Sequence, residues 1–227
     1  MWKELFNIAG NQNLQTQAHE QAVAMLDTDW TMFQASVDSL RNSDSGEIAI
    51  DIYAKDKEVN RAERDIRRKI FTHFSVSGTG DLSAGLALAT VIIDIERIGD
   101  YTKNIYDLAR THPSRLFAAS LDGRLKTVEE DVTKLFQDMI EAYRNDDLEL
   151  SRKVMQDYKE GLSAACDEIN AAIVKGEADD LNAADAGAVT LYVHYLKRIG
   201  SHCRTIVSGL VNPFPRIGYK EKVIEES

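Results

Sequence analysis

The amino-acid sequence predicts an all-α protein, with six long antiparallel helices forming two tandem three-helix bundles. Three observations lead there. Only three prolines occur in 227 residues, Pro113, Pro213 and Pro215, and none interrupts a periodic segment. Apolar residues recur at intervals of three and four, the spacing of one helix face, and strand-type alternation of Val, Ile and Thr is absent. The halves also repeat. Met32-Phe33-Gln34 returns as Leu135-Phe136-Gln137 after a shift of 103, and Arg97-Ile98-Gly99 returns as Arg198-Ile199-Gly200 after a shift of 101.

Each element then follows in order. A first helix over 13–42 stops at Asn42-Ser43-Asp44-Ser45-Gly46, a cluster of turn formers. The second, 47–74, carries Ile52, Val59, Ala62, Ile66 and Ile70 on one stripe. It ends in Ser75-Val76-Ser77-Gly78-Thr79-Gly80, where Asp81 is placed to cap the third helix, 81–110. That helix shows Leu88, Ile92, Ile95, Ile98 and Ile105 on one side and closes before Pro113, because proline disfavours helix at the preceding residue. The fourth, 115–144, runs to Asn145-Asp146-Asp147. Met155, Tyr158, Leu162, Ala165, Ile169 and Ala172 make a strict seam in the fifth, 147–175. After Lys175-Gly176-Glu177-Ala178-Asp179 comes the sixth, 179–211. Helices of this size are about 45 Å long. The shift of 103 lays Val59, Ala62, Ile66 and Ile70 on Leu162, Ala165, Ile169 and Ile173. The two units are therefore expected at 1–112 and 113–227, with Trp2, Leu5, Phe6 and Ile8 capping one end of the bundle.

Composition narrows the function classes. Apolar residues make up 44% and charged residues 28%, as in ordinary globular chains. Lys and Arg total 27 against 37 Asp and Glu, so the formal net charge is −10. Such a surface repels nucleic acid and anionic lipid unless a basic patch is segregated. Arg61, Arg64, Arg67, Arg68 and Lys69 make a basic stretch, but Glu63 and Asp65 interleave it, and a solvated face is expected. Two cysteines, Cys166 and Cys203, cannot frame a disulfide scaffold. The longest apolar run, Ala84 to Ile93, is half of a bilayer span, and Met1-Trp2-Lys3-Glu4-Leu5 lacks a secretion-signal plan; a cytoplasmic location is expected.

The chemistry gathers in two segments. In Ile92-Ile93-Asp94-Ile95-Glu96-Arg97-Ile98-Gly99-Asp100, Glu96 and Asp100 lie four apart on one helical face, beside a glycine that permits close approach of another backbone. In Asp56-Lys57-Glu58-Val59-Asn60-Arg61-Ala62-Glu63, the residues Asp56, Asn60 and Glu63 form a stripe beside the apolar one. A hairpin of helices two and three brings these faces together. Four carboxylates and an amide in one groove repel unless a cation sits among them. Hard oxygen donors suit magnesium, manganese, calcium or iron, whereas thiolate-type zinc coordination is not offered. The competing reading is a solvated face with an ordinary ion pair to Lys103.

Other signals fail. Gly78-Thr79-Gly80 lacks the third glycine and preceding strand of a dinucleotide fingerprint. No Glu-x-x-His, His-Glu-x-x-His or nucleophile elbow occurs. His202 and Cys203 are helix neighbours pointing about 100° apart, the rotation per residue of a helix, which is wrong for a catalytic dyad.

With Asp-x-x-Val-Asn-x-x-Glu at Asp56 to Glu63 and Asp-Ile-Glu-Arg-Ile-Gly-Asp at Asp94 to Asp100, the chain resembles PhoU-domain proteins, whose members carry two three-helix units. The resemblance implies a non-enzymatic cytoplasmic regulator of phosphate uptake and signalling that contacts a phosphate transporter subunit or a sensor kinase. Peripheral membrane association and a homodimer are compatible with it, and nucleic acid is not a partner. It also implies a metal ion or multinuclear cluster (iron, manganese, zinc or magnesium) on Asp56, Asn60, Glu63, Glu96 and Asp100. The alternative is a metal-dependent hydrolase or oxidase in the same carboxylate groove. The second half departs from the pattern. Asp56 becomes Lys159, Asn60 becomes Ser163, Glu63 becomes Cys166, Glu96 becomes Lys197 and Asp100 becomes Ser201. Lys159 and Lys197, paired with Glu160, would there supply the positive charge that a metal would otherwise bring.

Overall fold

Six helical rods fill the computed structural model, which describes residues 12–78 and 82–221. They are α1 Gln12–Asn42, α2 Ile52–Ser77, α3 Leu82–Thr111, α4 Asp122–Asn145, α5 and α6 Ala183–Val211. α5 is composite, made of Leu148–Asp157, a π turn Tyr158–Leu162 and Ser163–Val174. Two short 3-10 turns, Ala119–Leu121 and Phe214–Arg216, complete the secondary structure among the described residues. The expected cap at Asp81 and the end-capping group Trp2, Leu5, Phe6 and Ile8 lie outside the described residues.

Three helices begin later than their periodicity suggests; side-chain caps explain two of the starts and a backbone strap the third. α2 starts at Ile52, not 47, because Asp51 accepts the Ala54 N–H at 3.0 Å, while Ser43 Oγ holds the intervening loop through the Glu47 N–H at 3.1 Å. α4 starts at Asp122, not 115. The Leu116 N–H donates to the Leu40 carbonyl at 2.8 Å, which straps the connector along α1. α6 starts at Ala183, not 179, where the Asn182 side chain accepts from the N–H groups of Ala184 and Asp185.

Within the first unit α2 and α3 run antiparallel. Tyr53 donates to Asp107 at 2.5 Å near one end, and the Phe74 ring lies over Gly85 near the other. The buried face of α1, including Ala22, Leu26, Met32, Phe33 and Leu40, closes that unit's core. It also joins the second unit through Trp30 and Phe33, whose rings stand 5.3 and 5.7 Å from Phe136 of α4. Arg41 reinforces this joint from inside, 2.9 Å from Glu129 and 2.8 Å from Asp122, with a further contact to the Leu116 carbonyl.

The third helices of the two units, α3 and α6, cross the molecule antiparallel to one another. Gly209 faces Val91, His202 Nδ1 lies 2.7 Å from Asp94, Arg198 donates to Tyr101 at 3.2 Å, and His112 Nε2 lies 2.9 Å from Asp185. Tyr101 and His202 occupy equivalent repeat positions and stack at 5.7 Å with an interplanar angle of 27°. A residue touching its own repeat counterpart places a local twofold between them. No helix of the described residues is long and apolar enough to cross a membrane.

Candidate functional site

The antiparallel pairing of α2 and α3 brings the two acidic segments into one groove. Lys103 Nζ donates to Asp56 Oδ1 at 2.8 Å and to Asp100 Oδ1 at 3.1 Å. Asn60 Nδ2 donates to Asp56 Oδ2 at 3.3 Å. Glu63 is nearly buried and pairs with Arg67 at 2.6 Å. On the facing helix Arg97 lies 3.8 Å from Glu96 and 3.5 Å from Asp100. Burial, then the charges of Asp100 and Glu63, push the Glu96 carboxyl above its ordinary range despite Arg97. Burial alone would lower the Lys103 ammonium, but its bonds to Asp56 and Asp100 outweigh that and hold it above the usual value.

One member was missed in the sequence. Asp29 of α1 is fully buried, and neither carboxylate oxygen has a hydrogen-bond partner. It stands under Gly99, where a Cβ would lie 2.7 Å from its Oδ1, so glycine lets α3 close over this carboxyl. Burial comes first, then the charges of Glu96, Asp56 and Asp100, in raising its carboxyl well above the ordinary range. The repeat held a signal for it: the shift of 103 sets Asp29 on Val132, which is fully buried too. An acid at a core position of the repeat is the kind of departure that marks a site.

The donor set is one of hard oxygens with an excess of negative charge, and that chemistry fits a hard divalent cation. As folded, the Lys103 ammonium lies between Asp56 and Asp100, where such a cation would bind. Among the described residues, no three His, Cys, Asp or Glu side chains already stand in a metal-holding arrangement. The chemistry of these donors suits such a cation, and holding one would require Lys103 to move aside.

The second half uses the same backbone with different chemistry. Gly200 repeats the close approach of Gly99; a Cβ there would meet Leu162 Cδ2 at 2.5 Å. Cys166 is buried, and that burial pushes its thiol up to about 12. Lys197 pairs with Asp167 through both oxygens at 2.6 Å, not with Glu160, which accepts from Gln156 at 2.9 Å. Lys159 faces Lys220 first, with the Glu160 carboxylate a weaker neighbour. Elsewhere His202 is satisfied between Asp94 and Arg198, and Cys203 is fully buried, its thiol raised by burial first and then by Asp29. Three of the five cations of the basic stretch meet neighbours, Arg67 with Glu63, Arg68 with Asp65 at 3.1 Å and Lys69 with Gln21 at 2.8 Å, while Arg61 and Arg64 lie exposed on the solvated face.

The PhoU domain profile matches the chain twice, over residues 22–109 and 125–209. The chain belongs to the PhoU domain family. The family is one of phosphate-transport regulators. The fold is similar to the crystal structure of PhoU from Pseudomonas aeruginosa, with a TM-score of 0.73 at 19% identity over 87% of this chain and 95% of that one. It is also similar to the phosphate transport system regulatory protein PhoU from Streptococcus pneumoniae, with a TM-score of 0.70 at 16% identity over 87% and 91% of the two chains. No curated protein gives a significant match.

Proposed function

We propose that this protein regulates phosphate uptake by protein contact, docking on a phosphate transporter subunit or its sensor kinase, without catalysis of its own. The observation that supports this most is the double PhoU domain spanning both halves, with its first copy enclosing the carboxylate groove. In this reading Asp56, Asn60, Glu63, Glu96 and Asp100 hold a hard divalent cation such as magnesium, manganese or iron. The bound cation would neutralise the groove and tie α2 to α3, stiffening the surface offered to the partner. Lys103 fills that role when metal is scarce. The setting is the cytoplasmic face of the membrane, where transporter and kinase domains are reached.

The test is a cross-linked capture from membrane-containing lysate at high and low phosphate, using the full chain as bait. A phosphate transporter subunit or sensor kinase should be enriched, with a yield that changes between the two conditions. Enrichment of neither at either concentration would overturn the proposal.

A further inference from the structure

The second half replaces two carboxylates of the first with lysines and keeps a cation at a third corresponding position. Asp56, Glu96 and Lys103 map by the repeat shifts to Lys159, Lys197 and Arg204. In the fold, Lys159 and Arg204 open onto a surface pocket of about 270 Å³, joined there by Arg152 of α5 and by Lys220 beyond α6. Glu160 and Glu221 also line it. The volume is several times the roughly 30 Å³ that one water occupies.

Not all of this charge is free. Arg152 donates to both Glu221 oxygens at 2.8 and 2.9 Å and to Glu149 at 2.8 Å. Arg204 gives one nitrogen to the Gly218 carbonyl at 2.8 Å, and its guanidinium lies 6.0 Å over the Tyr158 ring. Its remaining donors are uncommitted among the described residues. Lys159 and Lys220 form no ion pair with any described carboxylate. Their ammonium groups face each other, and Lys220, followed by slight burial, holds Lys159 below the ordinary lysine range. Two lysines held together repel, the Glu160 charge offsets this only in part, and an anion between them reverses the sign of that interaction. The backbone here is also unusual: Lys159 sits in the π turn Tyr158–Leu162 that interrupts α5, and such turns concentrate at functional sites.

We propose that Lys159, Lys220 and Arg204 form a binding site for a phosphate-type oxyanion, separate from the carboxylate groove of the first half. Two ammonium point charges and a guanidinium fork are the donor set that a tetrahedral dianion takes. The phosphate group can come from free inorganic phosphate or from a lipid headgroup ending in a phosphomonoester. The inference does not depend on a metal in the first half or on the identity of a protein partner.

The experiment is calorimetric titration of the full chain with inorganic phosphate in low-salt buffer, paired with flotation on phosphatidylcholine vesicles with and without phosphatidic acid. Saturable one-site phosphate binding is expected, weakened at least tenfold in Lys159→Ala and in Lys220→Ala. Both side chains are exposed, so these variants keep the fold, and circular dichroism verifies it. Lys197→Ala, which loses only the pair with Asp167, should bind phosphate like the wild type. Flotation that requires phosphatidic acid, depends on Lys159 and is competed by inorganic phosphate would assign the headgroup as the source. Phosphate binding without flotation would assign the free anion. Absence of saturable binding to both probes, or binding undiminished in both lysine variants, would overturn the site.

Discussion

Replacing Lys103 by methionine should expose what the carboxylate groove is built to hold. The ammonium stands 2.8 Å from Asp56 and 3.1 Å from Asp100. At an effective dielectric near 20 the gross attractions are about 6 and about 5 kcal/mol. Most of that is cancelled by lost ammonium hydration, because the three side chains are only 15 to 30% exposed. Breaking a fully buried pair costs about 3–5 kcal/mol and an exposed one under about 1, so an intermediate loss of about 2 kcal/mol is expected. For a chain of this size that is a thermal midpoint roughly 4–8 °C lower. The loss should appear in chelator, where Asp56, Glu63, Glu96 and Asp100 are left to repel. Manganese or magnesium at millimolar concentration should then recover more of the midpoint in Lys103→Met than it adds to the wild type, whose lysine must first be displaced. The assay is differential scanning fluorimetry with each metal and with chelator. Wild-type stability of the variant in chelator would refute the electrostatic account. A metal response no larger than that of the wild type would refute the exchange of lysine for metal.

Four further outcomes are expected. Asp29 titrates higher folded than unfolded, so its cost is absent below the unfolded value of about 4, grows as pH rises from there towards the folded value and levels off above it. Asp29→Asn should therefore gain on the wild type with rising pH, by about 1–3 kcal/mol at the plateau in urea denaturation, and a gain constant from pH 4 to 8 would exclude this. Gly99→Ala should be destabilising alone, since its Cβ would meet Asp29 Oδ1 at 2.7 Å, yet much milder in an Asp29→Ala background. The coupling in that double-mutant cycle should be at least about 0.5 kcal/mol, and additivity would show that the two sites do not meet. Arg41→Met strands Glu129 beside Tyr192 and should cost about 3 kcal/mol by chemical denaturation; a surface-pair loss near ~0.5 kcal/mol would mean that Arg41 does not join the halves. Duplex DNA should show no binding by fluorescence anisotropy at physiological salt, given the net charge of −10, and salt-sensitive sub-micromolar binding would restore a role for Arg61 to Lys69.

The parts of this molecule legible in the sequence are those set along a single helix. A period of 3.6 fixes which side chains share a face, so the six rods, the apolar stripes of α2 and α3, and the acidic rows at Asp56 and Glu96 could be read directly. The internal repeat added the pairing of halves and showed where the second abandons the acidic pattern. Helix starts were less legible, because Asp51, Asn182 and the strap from Leu116 to Leu40 override periodicity by a few residues. Which faces meet across helices depends on the rotation and sliding of one rod against another, and side-chain packing over the whole core decides both. Only the tertiary structure could therefore bring Lys103 between Asp56 and Asp100, set Asp29 of α1 beneath Gly99, and fold the segment beyond α6 back until Lys220 stands against Lys159.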